Sequence, residues 1–235
     1  MKRLGKRTLE FRLPPTILSH GAVGGKKEAE GPLGGDFDQT FQDTTLQEES
    51  WEKAEAQLQK EAVAQALSKA GARPEEVDFI LAGDLLNQCI SSTFGLLDFR
   101  IPFLGQYGAC STMAEGLSLA AMLIDGGFAA YAAAMTSSHF CSAERQYRNP
   151  LEYGGQKPPT AQWTATGAGA VILSSTGKGP YVTHVTTGKV IDKGITDANN
   201  MGAAMAPAAY STLRAHFEET GRAPDFYDLI VTGDL

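Results

Sequence analysis

Cys110 is the residue of this sequence whose setting most favours chemistry. It ends the glycine-containing turn 105–110 (GQYGAC), and the apolar spacing of residues 113–125 predicts that a buried helix follows it. Free N–H groups and the helix dipole at such a position favour negative charge, whether of a thiolate or of a ligand carboxylate. A free cysteine is more often a buried structural residue, and we assign Cys89 and Cys141 to that role. The turn and the helix set Cys110 apart as a candidate site.

Two apolar runs, 77–82 and 128–136, predict buried parallel strands. Each is followed by polar residues, and ligands of open α/β sheets bind outside the carboxyl ends of the strands. Asp84 would repel an acidic ligand, so we expect it to hold a backbone turn or to pair with a cation. The residues here that we predict to contact a ligand, together with the neighbour of the cysteine, are Asn87, Ser111, Ser137, Ser138 and His139.

A long polar segment, residues 143–163, follows the second of these runs. Loops of this length inside a compact domain are usually functional or disordered, and the aromatic residues within this one disfavour disorder. Its cations stand out in a chain of net charge −7, although most arginine and lysine side chains are simply solvated at the surface. The residues of the segment that we predict to contact a ligand are Arg145, Tyr153, Lys157 and Trp163.

The remaining pattern is that of an α/β fold. Helices are predicted at 51–70 and 113–125, where apolar residues recur at helical spacing, and a further strand is predicted at 164–173. Residues 21–35 (GAVGGKKEAEGPLGG) are predicted to form a long loop, because glycine and proline interrupt regular structure. Strands that alternate with helices indicate a mostly parallel sheet with helices packed on it.

Composition disfavours several classes of function. The chain has 235 residues, of which 43% are hydrophobic and 20% charged, as is typical of a globular protein. An acidic chain without a basic patch gains little from phosphate contacts, so we expect no nucleic-acid partner. Residues 1–13 lack the apolar core of a signal peptide, and no stretch reaches the ~18 apolar residues of a spanning helix. Three cysteines without a CxxC pair indicate free thiols, and the scattered histidines suggest neither a metal site nor a cofactor.

An internal repeat divides the chain. Residues 71–85 (GARPEEVDFILAGDL) and 221–235 (GRAPDFYDLIVTGDL) align without a gap at an offset of 150 residues, 221 minus 71. Helix–turn–strand units are common, but the shared GDL ending favours duplication. We predict two similar halves, an N-terminal one at 1–180 that carries Cys110 and the polar segment, and the start of a second at 181–235. Because a sheet that stops at its first strand leaves an apolar face uncovered, we expect the functional protein to be longer.

These features resemble the thiolase superfamily, which includes thiolases and ketoacyl synthases. The duplicated halves match it, as does a cysteine at the turn into a helix of small residues. Residues 165–173 (ATGAGAVIL) resemble the ketoacyl synthase motif GDGAGAVVL, with Thr166 in place of the aspartate. The resemblance implies a thiolase-like duplicated αβαβα layered fold whose second half is incomplete in this chain. It also implies a homodimer, because such folds usually pair through central strands.

Longer strings resemble one family of this superfamily, the stage V sporulation protein AD family. They include DFILAGDLLNQ (78–88), IPFLGQYGACST (101–112), AERQYR (143–148), EYGGQKP (152–158) and GKVID (188–192). The resemblance implies non-catalytic binding of dipicolinic acid, by a subunit of the machinery that takes this acid up into the spore. It further implies a peripheral position at the spore inner membrane, beside integral membrane subunits of the same channel complex. The pocket would correspond to the active site of the superfamily, so Cys110 carries over as a pocket residue.

Dipicolinate is a planar pyridine with two carboxylates, so a site for it requires hydrogen-bond donors, positive charge and a flat wall. Donors are expected from the start of the helix after Cys110. The further expected roles are hydrogen-bond donation by Asn87, charge from His139, Arg145 or Lys157, and stacking on Tyr153 or Trp163.

An enzyme is the alternative. In a ketoacyl synthase the cysteine attacks an acyl thioester, and histidine and asparagine from the second half polarise the carbonyl or move protons. In one branch that histidine follows the first strand of the second half, yet residues 228–235 (DLIVTGDL) contain none. This favours a binding protein over a thiolase- or ketoacyl-synthase-like acyltransferase that uses Cys110. A purely structural subunit is a third possibility.

Overall fold

The computed structural model describes residues 2–147, 163–197 and 200–233, without the side chains of 144–147. The strands of the described residues are β1 Lys2–Arg3, β2 Thr8–Glu10, β3 Thr16–Gly25, β4 Gln39–Phe41, β5 Phe79–Gly83, β6 Phe103–Gly105, β7 Tyr131–Ser138, β8 Gly167–Ser174 and β9 His184–Thr186. The helices are α1 Lys26–Ala29, α2 Trp51–Ala70, α3 Ile90–Gly95, α4 Thr112–Asp125, α5 Phe140–Tyr147 and α6 Met201–Thr220. They fall into two compact units, which we describe separately.

The larger unit is built on a six-stranded sheet in the order β4-β3-β8-β7-β5-β6. Strands β5, β6 and β7 are mutually parallel, β4 is parallel to β3, and β8 runs antiparallel to both β3 and β7. Every strand except β8 therefore points the same way. The chain leaves β3, β5, β6 and β7, and enters β8, at one edge of the sheet, which is where the candidate site residues must be sought.

Two helices cover the two faces of this sheet. Helix α2 packs on β3 and β8, and its buried residues share one core with Ile80, Ala133 and Met135. Helix α4 packs on β7 and β5, where Gly116 lies against Ala134. Because successive side chains of a strand point to opposite faces, Ala133 and Ala134 place α2 and α4 on opposite sides. The sheet is buried between helices, as the continuous apolar strands predict.

The predicted helices at 51–70 and 113–125 are confirmed. Helix α2, Trp51–Ala70, is preceded by Ser50, whose side chain accepts a hydrogen bond from the N–H of Lys53 at 3.3 Å. It is followed by Gly71, which is in the left-handed conformation with φ 63°. An N-cap serine and a glycine that tolerates positive φ are typical ends of a helix. Helix α4 begins one residue before the prediction, at Thr112.

The long loop predicted at 21–35 is wrong over its first nine residues. Residues 21–25 complete strand β3, and Lys26–Ala29 forms the short helix α1. Glycine is required in this strand because it passes against the backbone of α2, where a Cβ on Gly21 would overlap the carbonyl oxygen of Ala62. These glycines serve close packing and do not mark a chain break.

The second apolar run forms a strand that extends further than predicted. The run 128–136 predicts a strand that ends before Ser137, but β7 spans Tyr131–Ser138. Its last residues pair with the start of β8, with Ser138 opposite Gly167. Both serines therefore belong to the sheet itself, and His139 is the first residue beyond it.

The smaller unit comprises residues 2–13, 183–197 and 200–233 of the described chain. Strands β1, β2 and β9 form an antiparallel sheet, and the Glu219 carboxylate accepts backbone N–H groups of Arg7 at 3.0 Å and Thr8 at 2.7 Å. Helix α6, like α2, ends at a left-handed glycine, Gly221 with φ 68°. The bounds of α2 and α6 differ by 150 residues at both ends, 201 minus 51 and 220 minus 70, which matches the repeat found in the sequence. The boundary proposed near residue 181 stays a prediction.

Candidate functional site

A cavity of about 380 Å³ opens at the sheet edge where β3 and β7 end and β8 begins. This volume lies in the lower part of the range of about 300–1,000 Å³ that is common for small-molecule sites. The lining residues that matter for its chemistry are Lys26, Lys27, Glu28, His139, Trp163 and Thr166. Two residues of the sequence-based prediction, His139 and Trp163, are thus brought together, although they are distant along the chain.

An aromatic stack forms one wall of this cavity. The rings of Phe140 and Trp163 are stacked, with their centroids 4.5 Å apart and an angle of 22° between their planes. The Nζ atom of Lys27 lies 4.1 Å from the Trp163 ring centroid. Lys27 and Phe140 therefore both lie against the Trp163 ring. The stack holds an ammonium group beside the cavity.

Hydrogen bonds fix the backbone on the sheet side of the cavity. A carboxylate oxygen of Glu28, Oε1, accepts the backbone N–H of Thr166 at 2.9 Å. The Thr166 hydroxyl oxygen accepts the backbone N–H of Phe140 at 3.0 Å. Thr166, the residue that departs from the ketoacyl synthase motif, therefore caps the start of α5 and joins it to the entrance of β8.

His139 lines the cavity, but it does not carry the positive charge that the sequence analysis assigns to it. The side chain is 1% exposed, and its Nε2 atom lies 2.8 Å from the carbonyl oxygen of Thr44. The backbone N–H of Cys141 points at Nδ1 at 3.2 Å, which leaves Nε2 as the protonated nitrogen of a neutral ring. Burial lowers the pKa of His139 below its ordinary value. The ring is a neutral and rigid part of the wall.

The hydroxyl groups of the two serines before His139 form hydrogen bonds with other groups of the protein. Ser137 is buried, and its hydroxyl donates to Oε1 of Glu55 at 2.8 Å and accepts from the amide nitrogen of Gln59 at 2.6 Å. The Ser138 hydroxyl donates to the carbonyl oxygen of Ala165 at 2.6 Å. Both serines are expected from the sequence to contact a ligand. The described lining of the cavity includes neither, so this contact stays a prediction.

Cys110 lies at the start of α4, as predicted, and its side chain is exposed. It belongs to the 3-10 turn Ala109–Ser111, in which the hydroxyl of Ser111 donates to the carbonyl oxygen of Gly108 at 2.8 Å. Asn87, also exposed, lies near the adjacent strand end, with Oδ1 3.5 Å from the hydroxyl of Tyr107. The described lining of the 380 Å³ cavity includes none of Cys110, Ser111 or Asn87. Their part in a ligand site stays a prediction.

Asp84 holds a backbone turn, one of the two roles expected for it. Its carboxylate, 1% exposed, accepts the backbone N–H groups of Leu86 and Ser92, each at 2.8 Å, and the hydroxyl of Ser92 at 2.7 Å. These bonds fix the turn between β5 and α3. Asp84 therefore shapes the edge of the sheet without facing a ligand.

Three predicted contacts lie outside the described residues. Arg145 belongs to α5, but its side chain is not described, and Tyr153 and Lys157 fall in the interval 148–162. They stay predictions. Sequence reasoning missed Lys26 and Lys27, although a lysine pair directly after a glycine-rich run in an acidic chain is a usable signal.

Solved structures of other proteins share this fold. Cerulenin-bound OleA from Xanthomonas campestris is 12% identical, with a TM-score of 0.64 over 94% of this chain and 75% of that chain. The 3-oxoacyl-(acyl carrier protein) synthase III of Xanthomonas oryzae is 15% identical, with a TM-score of 0.61 over 94% of this chain and 77% of that chain. The corresponding synthase III of Aquifex aeolicus gives 16% identity and a TM-score of 0.56 over 90% and 73%. The chain therefore has the thiolase-like fold that the sequence predicts, and identities this low show the fold alone.

Sequence comparison is more specific. The family profile of stage V sporulation protein AD matches residues 5–235. Stage V sporulation protein AD of Bacillus subtilis (strain 168) is 50% identical over 235 residues, which is 100% of this chain and 70% of that protein. The chain belongs to the stage V sporulation protein AD family, as predicted, and is a sporulation protein. None of the helices among the described residues has the length and apolar character needed to cross a membrane.

Proposed function

We propose that this chain binds dipicolinic acid without transforming it, as a subunit of the machinery that takes this acid up into the spore. The proposal places it peripherally at the spore inner membrane, as a homodimer beside integral membrane subunits. It is supported by membership of the stage V sporulation protein AD family and by a cavity whose walls suit a flat dianion.

The observation that carries the proposal is the Lys27 ammonium group held beside the 380 Å³ cavity. Lys26 and Lys27 both line this cavity, so two ammonium groups are available for the two carboxylates of the ligand. The Phe140–Trp163 stack gives a flat apolar wall against which a pyridine ring packs. Two carboxylates, Glu28 and Glu30, also line the cavity and oppose this charge. Oε1 of Glu28 is bonded to the backbone of Thr166, and among the described groups its buried Oε2 has no hydrogen-bond partner.

A second cavity of the larger unit is a poorer match for dipicolinate. It measures about 460 Å³ and is lined by Asp43, Glu48 and Glu61 among others, with no lysine or arginine in its described lining. Three carboxylates around one space repel a dianion. Of these two cavities, the smaller one with its lysine pair is the better match for dipicolinate.

An acyltransferase that uses Cys110 is the alternative proposal. It is favoured by the exposed thiol directly before α4 and by a fold shared with 3-oxoacyl synthases. Such an enzyme forms a covalent thioester with Cys110, whereas a binding protein leaves the thiol free.

Titration calorimetry tests the binding proposal. The wild-type chain should bind dipicolinate and, less tightly, benzoate, which offers one carboxylate. Replacing both Lys26 and Lys27 by Gln removes two charge-assisted hydrogen bonds of about 1.5–3 kcal/mol each, so affinity should fall by roughly 100-fold or more. Lys60→Gln is the matched control, because Lys60 pairs with Asp98 away from the cavity lining. Absence of binding by the wild type would overturn the proposal. Equal losses of affinity in the double variant and in Lys60→Gln would show that the cavity is not the binding site.

A further inference from the structure

A buried carboxyl group lies behind the wall of the 380 Å³ cavity. Glu55, on α2, is 0% exposed, and its two oxygens lie within hydrogen-bond distance of two hydroxyl groups. Oε1 is 2.8 Å from Ser137 Oγ, and Oε2 is 2.9 Å from Ser142 Oγ. Among the described side chains, no lysine or arginine forms an ion pair with Glu55. An unpaired buried carboxylate is costly, so the group is better accommodated with its proton.

A second buried carboxyl group belongs to the same network. The side-chain amide nitrogen of Gln59 donates to Ser137 Oγ at 2.6 Å and to Ser92 Oγ at 3.2 Å, and Ser92 in turn donates to Asp84. The carboxylate of Asp84 accepts three hydrogen bonds, two of them from backbone N–H groups, whereas Glu55 has hydroxyl partners alone. Asp84 is therefore the site of the negative charge, and Glu55 is the site of the proton.

The titratable groups around Glu55 agree with this assignment. Among the described side chains these are Asp84 after β5, whose charge acts on Glu55, and, on elements packed against α2, Cys89 at the start of α3 and His139 after β7. Burial is the main cause that raises the pKa of Glu55 to about 7, opposed by the Ser137 and Ser142 hydrogen bonds and supported by the charge of Asp84. Burial also raises the pKa of Cys89 and lowers that of His139, so both are neutral near pH 7.

Ser142 connects Glu55 to the cavity wall. Its hydroxyl oxygen lies 2.9 Å from Oε2 of Glu55 and 3.1 Å from the carbonyl oxygen of His139. A hydroxyl has one proton to donate, so it bonds to one of these two acceptors at a time. A protonated Glu55 donates a hydrogen bond to the Ser142 oxygen, so the Ser142 hydroxyl can donate its own hydrogen bond to the His139 carbonyl. An ionised Glu55 accepts the hydrogen bond of the Ser142 hydroxyl, so the His139 carbonyl loses this donor.

We propose that Glu55 is a positioning residue of the cavity, which in its protonated form fixes His139 through the Ser142 hydroxyl. The consequence for ligand affinity rests on the proposed function, but the protonation and its link to His139 do not. Ionisation of Glu55 should loosen the wall and weaken dipicolinate binding.

Two spectroscopic measurements test the network directly. In infrared difference spectra of wild type minus Glu55→Gln, a protonated-carboxyl band should be present at about pH 6 and lost by about pH 8.5. The ¹⁵N shifts of the His139 ring should follow the same titration. In Ser142→Ala the carboxyl band should remain while the His139 shifts become independent of this step. A band absent at every pH, or a His139 titration unaffected in both variants, would overturn the proposal.

Calorimetry then tests the effect on the ligand. Wild-type affinity for dipicolinate should fall about fivefold or more between about pH 6 and pH 8.5, a coupling of ordinary size. Glu55→Gln keeps a hydrogen-bond donor toward Ser142, so its affinity should stay at the pH 6 value throughout. Glu61→Gln, the same change on the same helix outside the network, should behave as wild type. Equal pH dependence in wild type and Glu55→Gln would count against the role of Glu55 in binding. If no protein binds dipicolinate, the proposed function fails, while the spectra still decide the protonation of Glu55.

Discussion

The ammonium group of Lys27 lies 4.1 Å from the centre of the Trp163 ring, which is also stacked on Phe140. Lys27 is exposed, and a lysine in that setting ordinarily samples many rotamers. The indole face restricts this freedom before any ligand arrives. Part of the side-chain entropy that Lys27 would lose on binding a carboxylate has therefore already been lost in folding.

We predict that Trp163→Leu weakens dipicolinate binding by about three- to tenfold, although it removes no charge. The leucine fills space but offers no π face, so Lys27 becomes mobile and the flat wall is lost. Trp163→Phe keeps an aromatic face and should lose less. The measurement is titration calorimetry, and equal affinities for wild type and the leucine variant would contradict the assigned role.

Experiments on Cys110 distinguish a binding protein from an acyltransferase. We predict that saturating acyl-CoA leaves the mass of the protein unchanged, because the proposed function requires no thioester. We also predict that Cys110→Ala lowers dipicolinate affinity by less than about tenfold, since the described cavity lining does not include this residue. Intact-protein mass spectrometry gives the first result and calorimetry the second. An acyl adduct that disappears in Cys110→Ala would establish the enzyme instead.

Glu55 makes stability depend on pH in an unusual direction. In the unfolded chain its carboxyl titrates near the ordinary value of 4.5, whereas in the folded protein its pKa is raised to about 7. Between these values the folded state binds more protons, so its stability falls as pH rises, by about 3 kcal/mol in all, and does not change further above pH 7. Glu55→Gln should remove this component of the pH dependence.

Denaturant unfolding at about pH 5 and about pH 8 measures the effect, with Glu61→Gln as the control on the same helix. The free energy of unfolding of Glu55→Gln should become larger relative to that of the control at the higher pH, because the control loses the stability contributed by the protonated Glu55. A difference that is the same at both values would show that Glu55 is ionised in the folded protein.

The glycine at position 21 provides a test of the sheet–helix packing. We predict that Gly21→Ala destabilises the protein by about 1–3 kcal/mol, because the added methyl group collides with the backbone carbonyl of Ala62. Gly35→Ala is the control, since nothing lies within 4 Å of a Cβ at that position. Denaturant unfolding of both variants distinguishes a packing role from a general effect of removing glycine.

The sequence was sufficient for the elements whose signal is local. Helices α2 and α4 show apolar residues at helical spacing and end at glycines, so their bounds are predicted to within a residue. Strand β3 was missed because its glycines carry no apolar signal, and the reason for them is a neighbour, Ala62, that lies 41 residues away, 62 minus 21. Close packing between distant backbones leaves no periodic pattern.

The candidate site could be predicted only in part, because contacts between distant segments of the chain bring its residues together. His139 was found because it follows an apolar strand, and Trp163 because aromatic residues stand out in a polar segment. Lys27 was missed, because its place beside Trp163 depends on the antiparallel register of β3 with β8. The buried partners of Glu55 come from two separate elements, β7 and α5, which no spacing along the chain brings together.

Strand β7 carries three consecutive alanines, Ala132–Ala134, that are fully buried between α2 and α4. At this point the distance between the two helices is set by methyl groups, the smallest side chains that a strand can offer them. A single mutation to a larger residue would force a helix outward, and it survives only if that helix loses volume at the facing position. A larger residue in the middle of this sheet therefore requires a second, compensating change on the facing helix, whereas a change at an exposed position requires none.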